Sequence, residues 1–255
     1  DTHAHYDDEA FDEDRDRLLN SMKAGGVGRI VNVGAGMETS EKTVALTRQY
    51  DFLYGAVGVH PNEVGDMTAE DMEQLASWSE LEKIIAIGEI GLDYHYEEPP
   101  KEVQFRWFEA QMELAREKKL PIIVHSRDAA KDTVDIMKAV HAGEIGGVIH
   151  CYSYTKELAR EFLNMDYYFG IGGVLTFTNA KKLKEAVAYI PMEKLVLETD
   201  CPYLAPVPNR GKRNSSLNIP YVVEALAQIK GISLSEVERI TWENGCRLYR
   251  MQSEQ

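Results

Sequence analysis

Short apolar runs rich in Val, Ile and Gly recur along this chain, and charged segments with helical periodicity separate them. The runs lack polar alternation, which favours strands buried on both faces and therefore a parallel sheet. Eight strand–helix repeats within 255 residues predict an α/β fold, a (β/α)8 TIM barrel with C-terminal helices. An open doubly wound sheet is the alternative, but it would spread the strand ends along a line. The predicted strands are Asp1–His5, Arg29–Val33, Leu53–His60, Ile84–Leu92, Pro121–His125, Gly147–Cys151, Tyr167–Val174 and Leu195–Asp200.

The helices between these runs carry ordinary stop signals. Gly25 and Gly26 follow the first helix, and Pro121 follows a helix predicted over Glu102–Lys119. The last strand precedes a loop at 205–220 rich in Pro, Asn and Arg, and then two helices, predicted at 221–230 and 235–249. No stretch has linker composition, so we expect a single domain over residues 1–255.

Composition narrows the class of protein. Three cysteines without CxxC spacing indicate reduced thiols, and no apolar run is long enough to span a bilayer. We therefore expect a cytoplasmic protein, and a monomer. A net charge of −14 argues against broad electrostatic binding of nucleic acid, but a metal cluster and a local basic loop would still permit a nuclease. The first run lacks an apolar lead-in, so we expect the natural chain to begin before Asp1.

Polar side chains with metal-binding chemistry stand at the ends of the predicted strands. His3 and His5 are two residues apart, so on a strand both imidazoles point the same way. In a parallel barrel the C-terminal strand ends converge on one face, where catalytic groups gather. Nitrogen and carboxylate ligands together suit a divalent metal ion. The predicted ligands are His3, His5, Glu89, His125, His150 and Asp200.

Six ligands exceed one tetrahedral site and predict two divalent ions, Mg²⁺, Mn²⁺ or Zn²⁺. His3, His5 and Asp200 come from the first and last strands, which are neighbours in a closed barrel, so they would share one ion. His125 and His150 would hold the other, with Glu89 as the bridge. Asp200 is also the candidate general base. Glu198 lies two residues before it, and either supports the site or is an acid buried in the barrel core.

Loops near the predicted site supply candidate substrate contacts. His60 ends the third predicted strand, and Asp93, Tyr94 and His95 follow the fourth. These residues could touch substrate or hydrogen-bond the ligands; an exposed loop histidine without a role is the alternative. The loop after the last strand carries Arg210, Lys212 and Arg213. Barrel enzymes often bind phosphate near strands seven and eight, and Arg offers it bidentate contacts. A solvated basic loop is the alternative. Candidate surfaces for stacking a terminal base are Phe177, Tyr94 and Tyr203.

With these residues in view, the sequence resembles the TatD family of metal-dependent deoxyribonucleases, within the superfamily of amidohydrolase-like barrels. The resemblance runs nearly end to end, through DTHAH, GVHP, GEIGLDYH, PIIVHSR, HCYSY, ETDCPYLAP and RGKRN. It implies a TIM barrel, the same six metal ligands, and metal-dependent hydrolysis of DNA phosphodiesters, consistent with exonuclease action from single-stranded 3′ ends. The family tends to continue RGKRN with an acid and a proline, whereas this chain has Ser215 and Ser216.

Two other functions fit the same residues less well. The metal centre could hydrolyse an amide or ester, as in a cyclic amidohydrolase or an aminoacyl-tRNA deacylase. Many cyclic amidohydrolases bridge their metals with a carbamylated lysine, but Glu89 stands at the fourth strand here. A non-catalytic scaffold is the third hypothesis, and the retention of all six ligands argues against it.

Overall fold

Parallel strands alternate with helices along most of the chain. The computed structural model describes residues 1–252. The strands in this part of the chain are β1 Ile30–Val33, β2 Leu53–Val57, β3 Ile84–Asp93, β4 Ile122–Arg127, β5 Gly147–Ile149, β6 Tyr168–Ile171 and β7 Leu195–Leu197. The α-helices are α1 Arg15–Ser21, α2 Met37–Gln49, α3 Ala69–Trp78, α4 Lys101–Lys118, α5 Ala130–Ala139, α6 Lys156–Asn164, α7 Lys181–Tyr189, α8 Ile219–Lys230 and α9 Leu234–Leu248.

The chain divides into two compact units, of which the first contains residues 1–32, 151–163 and 168 onward. In this unit β6 and β7 pair in parallel. The amide of Thr2 donates to the carbonyl of Leu197, and Ala4 bridges both Asn32 and Cys201 in parallel. The segment 1–5 thus lies between β7 and β1. The predicted first strand is wrong in extent, because regular pairing there shrinks to the single bridging residue Ala4.

The second unit contains residues 33–150 and 164–167. Here β2, β3, β4 and β5 pair in parallel in chain order. All ten residues of β3 are buried, as the continuous apolar run predicts. Helix α4 packs on β3, and α2 packs on β2. The carboxyl ends of these four parallel strands therefore lie at one edge of this unit's sheet, where the sequence has its acids and histidines.

Helix boundaries follow local chemistry. Thr68 before α3 and Ser233 before α9 each form a capping box, in which the hydroxyl accepts from an amide at the third helical position. Helix α4 ends at Lys119, which adopts φ 57°, and Pro121 follows. The predicted helix over Glu102–Lys119 is confirmed to within one residue at each end. Helix α8 ends at Gly231 with φ 67°, where a residue without Cβ is favoured.

The cysteines and the helices bear on two further predictions. Cys151, Cys201 and Cys246 are not joined in disulfides. Within residues 1–252 no helix has the length and apolarity needed to cross a membrane. The single domain over 1–255, the cytoplasmic location and the monomeric state stay predictions.

Candidate metal centre

His3, His5 and Asp200 form a cluster in the first unit. The Nε2 atoms of His3 and His5 lie 3.1 Å apart. The Oδ1 atom of Asp200 lies 3.3 Å from His5 Nε2 and 3.8 Å from His3 Nε2. His3 and His5 are buried. Three ligand atoms that face one point, from two imidazoles and a carboxylate, suit a divalent cation. The sequence prediction that these three residues share one ion fits this geometry.

Backbone hydrogen bonds hold this cluster in place. The amide of Ala4 donates to Val31 and that of His5 to Cys201, so His3 and His5 project to the same side of an extended segment. Asp200 adopts φ 56°, an uncommon conformation for a residue with a side chain. Its amide donates to the carbonyl of His3 at 2.9 Å, which ties the turn at Asp200 to the histidine segment.

A buried network that the sequence pattern does not predict surrounds the turn at Asp200. The Asp1 carboxylate accepts hydrogen bonds from the amide and hydroxyl of Thr199 and from the Ser216 hydroxyl. The side-chain amide of Asn214 donates to the carbonyls of Thr199 and Tyr203, at 2.9 and 2.8 Å. Asp1 opens the DTHAH motif and Asn214 closes RGKRN, so both positions were visible as parts of motifs, although their partners were not.

Glu89, His125 and His150 form a second cluster, in the second unit. Glu89 Oε1 lies 2.7 Å from His125 Nδ1 and 3.3 Å from His150 Nε2. Glu89 lies on β3, His125 lies on β4 and His150 directly follows β5. Glycine is required at position 91, which has φ 148°, because a Cβ there would lie 1.9 Å from the carbonyl oxygen of His125. The donor set again suits a divalent cation.

His60 and Asp93 flank His125 on the same side of this unit. The ring centroids of His60 and His125 are 4.2 Å apart, and Asp93 Oδ2 lies 3.1 Å from His125 Nε2. Burial, together with the nearby His125, lowers the pKa of His60 to about 3. Since the amide of Asn62 donates to Nδ1 of this neutral ring, its proton is on Nε2, facing Glu89.

The carboxylates around His125 also shift its protonation. Burial lowers the pKa of His125, but hydrogen bonds to Asp93 and Glu89 outweigh burial, and the pKa is raised. Burial acts against ionisation of Asp93, yet the hydrogen bonds from His125 and from the His95 amide lower its pKa to about 2. A divalent cation binds the neutral imidazole, so metal binding at His125 would oppose this upward shift of its pKa.

Tyr94 and His95, the other predicted substrate contacts of the second unit, have side chains that contact nearby residues outside the cluster. The Tyr94 hydroxyl donates to Asp132 at 2.7 Å, and Lys101 Nζ lies 3.7 Å from the centre of its ring. His95 is exposed, and its Nδ1 atom lies 3.8 Å from Asp128. Asp93 thus joins the group around His125, whereas the side chains of Tyr94 and His95 make contacts away from it.

In the first unit, Glu198 is buried and accepts a hydrogen bond from the amide of Cys151 at 2.6 Å. Its carboxylate packs against Gly170, where an added Cβ would lie 1.9 Å from Oε2. Cys151 follows His150 in sequence, so Glu198 holds the backbone next to a predicted ligand. Glu198 is thus a buried acid with a local partner, and its support of the metal site stays a prediction.

The three cations of the last loop have different environments. Arg213 donates to both carboxylate oxygens of Asp14, at 2.7 and 2.8 Å, and these bonds lower the pKa of Asp14 to about 2. The Arg210 guanidinium lies 4.3 Å from the centre of the Phe177 ring. Lys212 is exposed. Arg213 therefore anchors the loop to the start of α1, whereas Arg210 and Lys212 are the better candidates for binding phosphate.

Comparison with known proteins decides the family. The profile described as "TatD related DNase" matches residues 1–250. The chain belongs to the TatD family. This TatD-family protein is 45% identical to the uncharacterised metal-dependent hydrolase YabD of Bacillus subtilis, with 98% of each chain covered. It is 32% identical to the 3′-5′ ssDNA/RNA exonuclease TatD of Cronobacter sakazakii, over 94% of this chain and 93% of that protein.

Solved structures fix the fold class of this TatD-family protein. The crystal structure of YJJV, a TatD homologue from Escherichia coli, matches with a TM-score of 0.93 and 29% identity, over 99% of this chain and 98% of that one. An organophosphorus hydrolase from Deinococcus radiodurans matches with a TM-score of 0.61 at 14% identity, over 97% and 91% of the two chains, which is a likeness of fold alone. The predicted TIM-barrel class is confirmed. Family membership also supports a hydrolase that uses divalent metal, whereas the DNA substrate stays a prediction.

Proposed function

We propose that this TatD-family protein is a divalent-metal-dependent deoxyribonuclease that hydrolyses phosphodiester bonds at single-stranded ends, in the 3′ to 5′ direction. The observation that carries the proposal is the pair of three-ligand clusters. The relative from Cronobacter sakazakii, whose name is 3′-5′ ssDNA/RNA exonuclease, supports the choice of substrate. Arg210 and Lys212 add local positive charge to a chain of net charge −14, as an anionic substrate requires.

The donor atoms of each cluster fit one divalent cation, so the two clusters together would hold two. His3, His5 and Asp200 would bind one, and Glu89, His125 and His150 the other. That Glu89 bridges both ions stays a prediction from strand order. A divalent cation, when bound, lowers the pKa of water and neutralises charge on the phosphate.

The chain's own side chains account for the remaining steps. Asp200 would accept the proton of the attacking water on its carboxylate and return it to the leaving oxygen of the substrate as the P–O bond breaks. The hydrogen bond from the Asp200 amide to the His3 carbonyl holds the backbone that carries this side chain. The Nε2 atom of neutral His60 lies 3.8 Å from Glu89 Oε1, so this ring adds a favourable electrostatic contact to that carboxylate. Arg210 binds a phosphate oxygen of the substrate and positions the strand. Glu89 acts as a ligand and as an electrostatic partner of both histidines in its cluster.

The proposal is tested with a 3′-labelled single-stranded oligonucleotide. Chelated protein, protein refilled with Mg²⁺, Mn²⁺ or Zn²⁺, and the Glu89→Ala variant are compared. We expect metal to restore loss of the terminal nucleotide in the parent protein and not in the variant. Cleavage of an amide or ester substrate with DNA left intact would instead support the amidohydrolase or deacylase alternative. Inactivity towards DNA, amide and ester substrates would favour the hypothesis of a non-catalytic scaffold.

A further inference from the structure

Tyr203 is an exposed aromatic residue that is nevertheless held at several points. The residue is 54% exposed. Its hydroxyl donates to Asp8 at 2.8 Å, its amide donates to the carbonyl of Asp200 at 2.9 Å, and its own carbonyl accepts from Asn214 at 2.8 Å. An exposed tyrosine usually keeps its rotational freedom. Here both the backbone and the far end of the ring are fixed, so the ring holds one position while its surface stays accessible to solvent.

That fixed ring lies next to a predicted metal ligand. The centroids of the Tyr203 and His5 rings are 6.4 Å apart, and the rings meet at 61°. Tyr203 also follows Asp200 by three residues in the same turn. In a nucleotide, one sugar separates the base from its phosphate. A phosphate bound at the His3, His5 and Asp200 cluster would therefore bring a neighbouring base within reach of the Tyr203 ring.

We propose that Tyr203 is a stacking platform for one unpaired nucleobase of the substrate, next to the bond that is cut. The inference rests on the proposed function and deepens it, because it names the feature of the substrate that is recognised. Stacking on an aromatic ring tolerates any base, since every base has a π-face. A base inside a duplex is already stacked and paired, so this contact favours single-stranded ends. The tether to Asp8 stabilises the ring before substrate arrives, which reduces the entropy lost on binding.

The experiment removes one base from the substrate and combines this change with substitutions at Tyr203. Single-stranded oligonucleotides carry one abasic nucleotide at the last, second-last or third-last position from the 3′ end, and kcat and KM are measured for each and for the unmodified strand. The metal-loaded enzyme is compared with Tyr203→Ala and with Tyr203→Phe, which keeps the ring. Tyr189→Ala is the control, because Tyr189 is 47% exposed at the end of α7, where no candidate site residue lies.

In the parent enzyme we expect one abasic position to lower kcat/KM by about 5- to 100-fold, chiefly through KM. In Tyr203→Ala, the KM for the unmodified strand should rise to the value that the parent enzyme has for the abasic strand. The abasic substitution should then change kcat/KM by less than about twofold, because the ring on which the base stacks is gone. Tyr203→Phe and Tyr189→Ala should keep the discrimination of the parent enzyme. The ratio of kcat/KM for the unmodified strand to kcat/KM for the abasic strand is taken within each variant, so a partial loss of folded protein cancels.

Two results would overturn the inference. One is an unmodified strand and abasic strands cut equally well by the parent enzyme. The other is an abasic effect of the same size in Tyr203→Ala as in the parent. Both leave the nuclease itself intact, because hydrolysis is still observed. If no oligonucleotide is cut with any metal, the proposed function has failed, and the stacking inference fails with it.

Discussion

At the scale of single residues, we expect the predicted ligands to carry the function. His3→Ala removes one of three ligands from its cluster, and Glu89→Ala removes the carboxylate between two histidines. Because a bound cation contributes several kcal/mol to the transition state, we expect each variant to lose at least about 10³-fold in kcat/KM. Steady-state hydrolysis of the labelled oligonucleotide measures kcat/KM, and circular dichroism checks that each variant is folded. Normal turnover in a folded variant would contradict the assignment of that residue.

The two arginines of the last loop give a second residue-scale prediction. Arg210 has its guanidinium over an aromatic ring, whereas Arg213 has its donors on Asp14. We expect Arg210→Ala to raise KM for DNA about 10- to 100-fold, the loss of one charge-assisted contact. The matched Arg213→Ala should leave KM within about fivefold. The effect of Arg210→Ala should shrink as salt is raised, since salt screens the phosphate contact. Equal KM values for the two variants would rule out the distinction.

At the scale of elements, the network around Asp1 joins the segment 1–5 to the loop before α8. The Ser216 hydroxyl donates to Asp1 at 2.6 Å and accepts from the Tyr6 hydroxyl at 2.8 Å. Ser216 is fully buried, so Ser216→Ala leaves polar groups without their partner. We expect the free energy of unfolding to fall by about 1–3 kcal/mol. Denaturant melts measure it.

The neighbouring serine is the matched control for this network. Ser215 is only partly buried, so Ser215→Ala should stay within about 0.5 kcal/mol of the parent. Proline, which the family tends to have at position 216, has neither the hydroxyl nor the amide that donates to Tyr6 at 2.9 Å. Ser216→Pro should therefore destabilise at least as much as Ser216→Ala. A variant at position 216 as stable as the parent would contradict the network's contribution.

These elements also mark the limit of what the sequence predicts. The strands, most helices and the grouping of His3, His5 and Asp200 follow from periodicity and from parallel strands ending at one edge. The partners of Asp1 do not, because Thr199 and Ser216 lie about 200 residues away in sequence. The hydrogen bond from Tyr94 to Asp132 is also not predictable from the sequence, because it depends on how α5 packs. The first strand was predicted too long because the spacing of His3 and His5 suits an extended segment, although regular pairing forms at Ala4 alone.

At the scale of the whole molecule, metal binding and folding should be linked. Each cluster places one carboxylate beside two imidazoles in a protein of net charge −14. A cation that binds only the folded chain stabilises it by mass action. At a free metal concentration of 100 times Kd the gain is about 2.7 kcal/mol per site, which for a chain of this size corresponds to roughly 5–10 °C in Tm. Scanning calorimetry of chelated and refilled protein measures the shift.

A salt control and ligand variants separate stabilisation by bound metal from general screening of negative charge. Sodium chloride at matched ionic strength screens surface repulsion without occupying the clusters, so it should raise Tm far less than Mn²⁺ does. His3→Ala and His125→Ala each remove a ligand from a different cluster, and each should lose part of the metal-induced shift; together they should lose nearly all of it. If the double variant kept the full shift, the ions would be bound elsewhere, and both clusters would have to be reassigned as buried hydrogen-bonding groups.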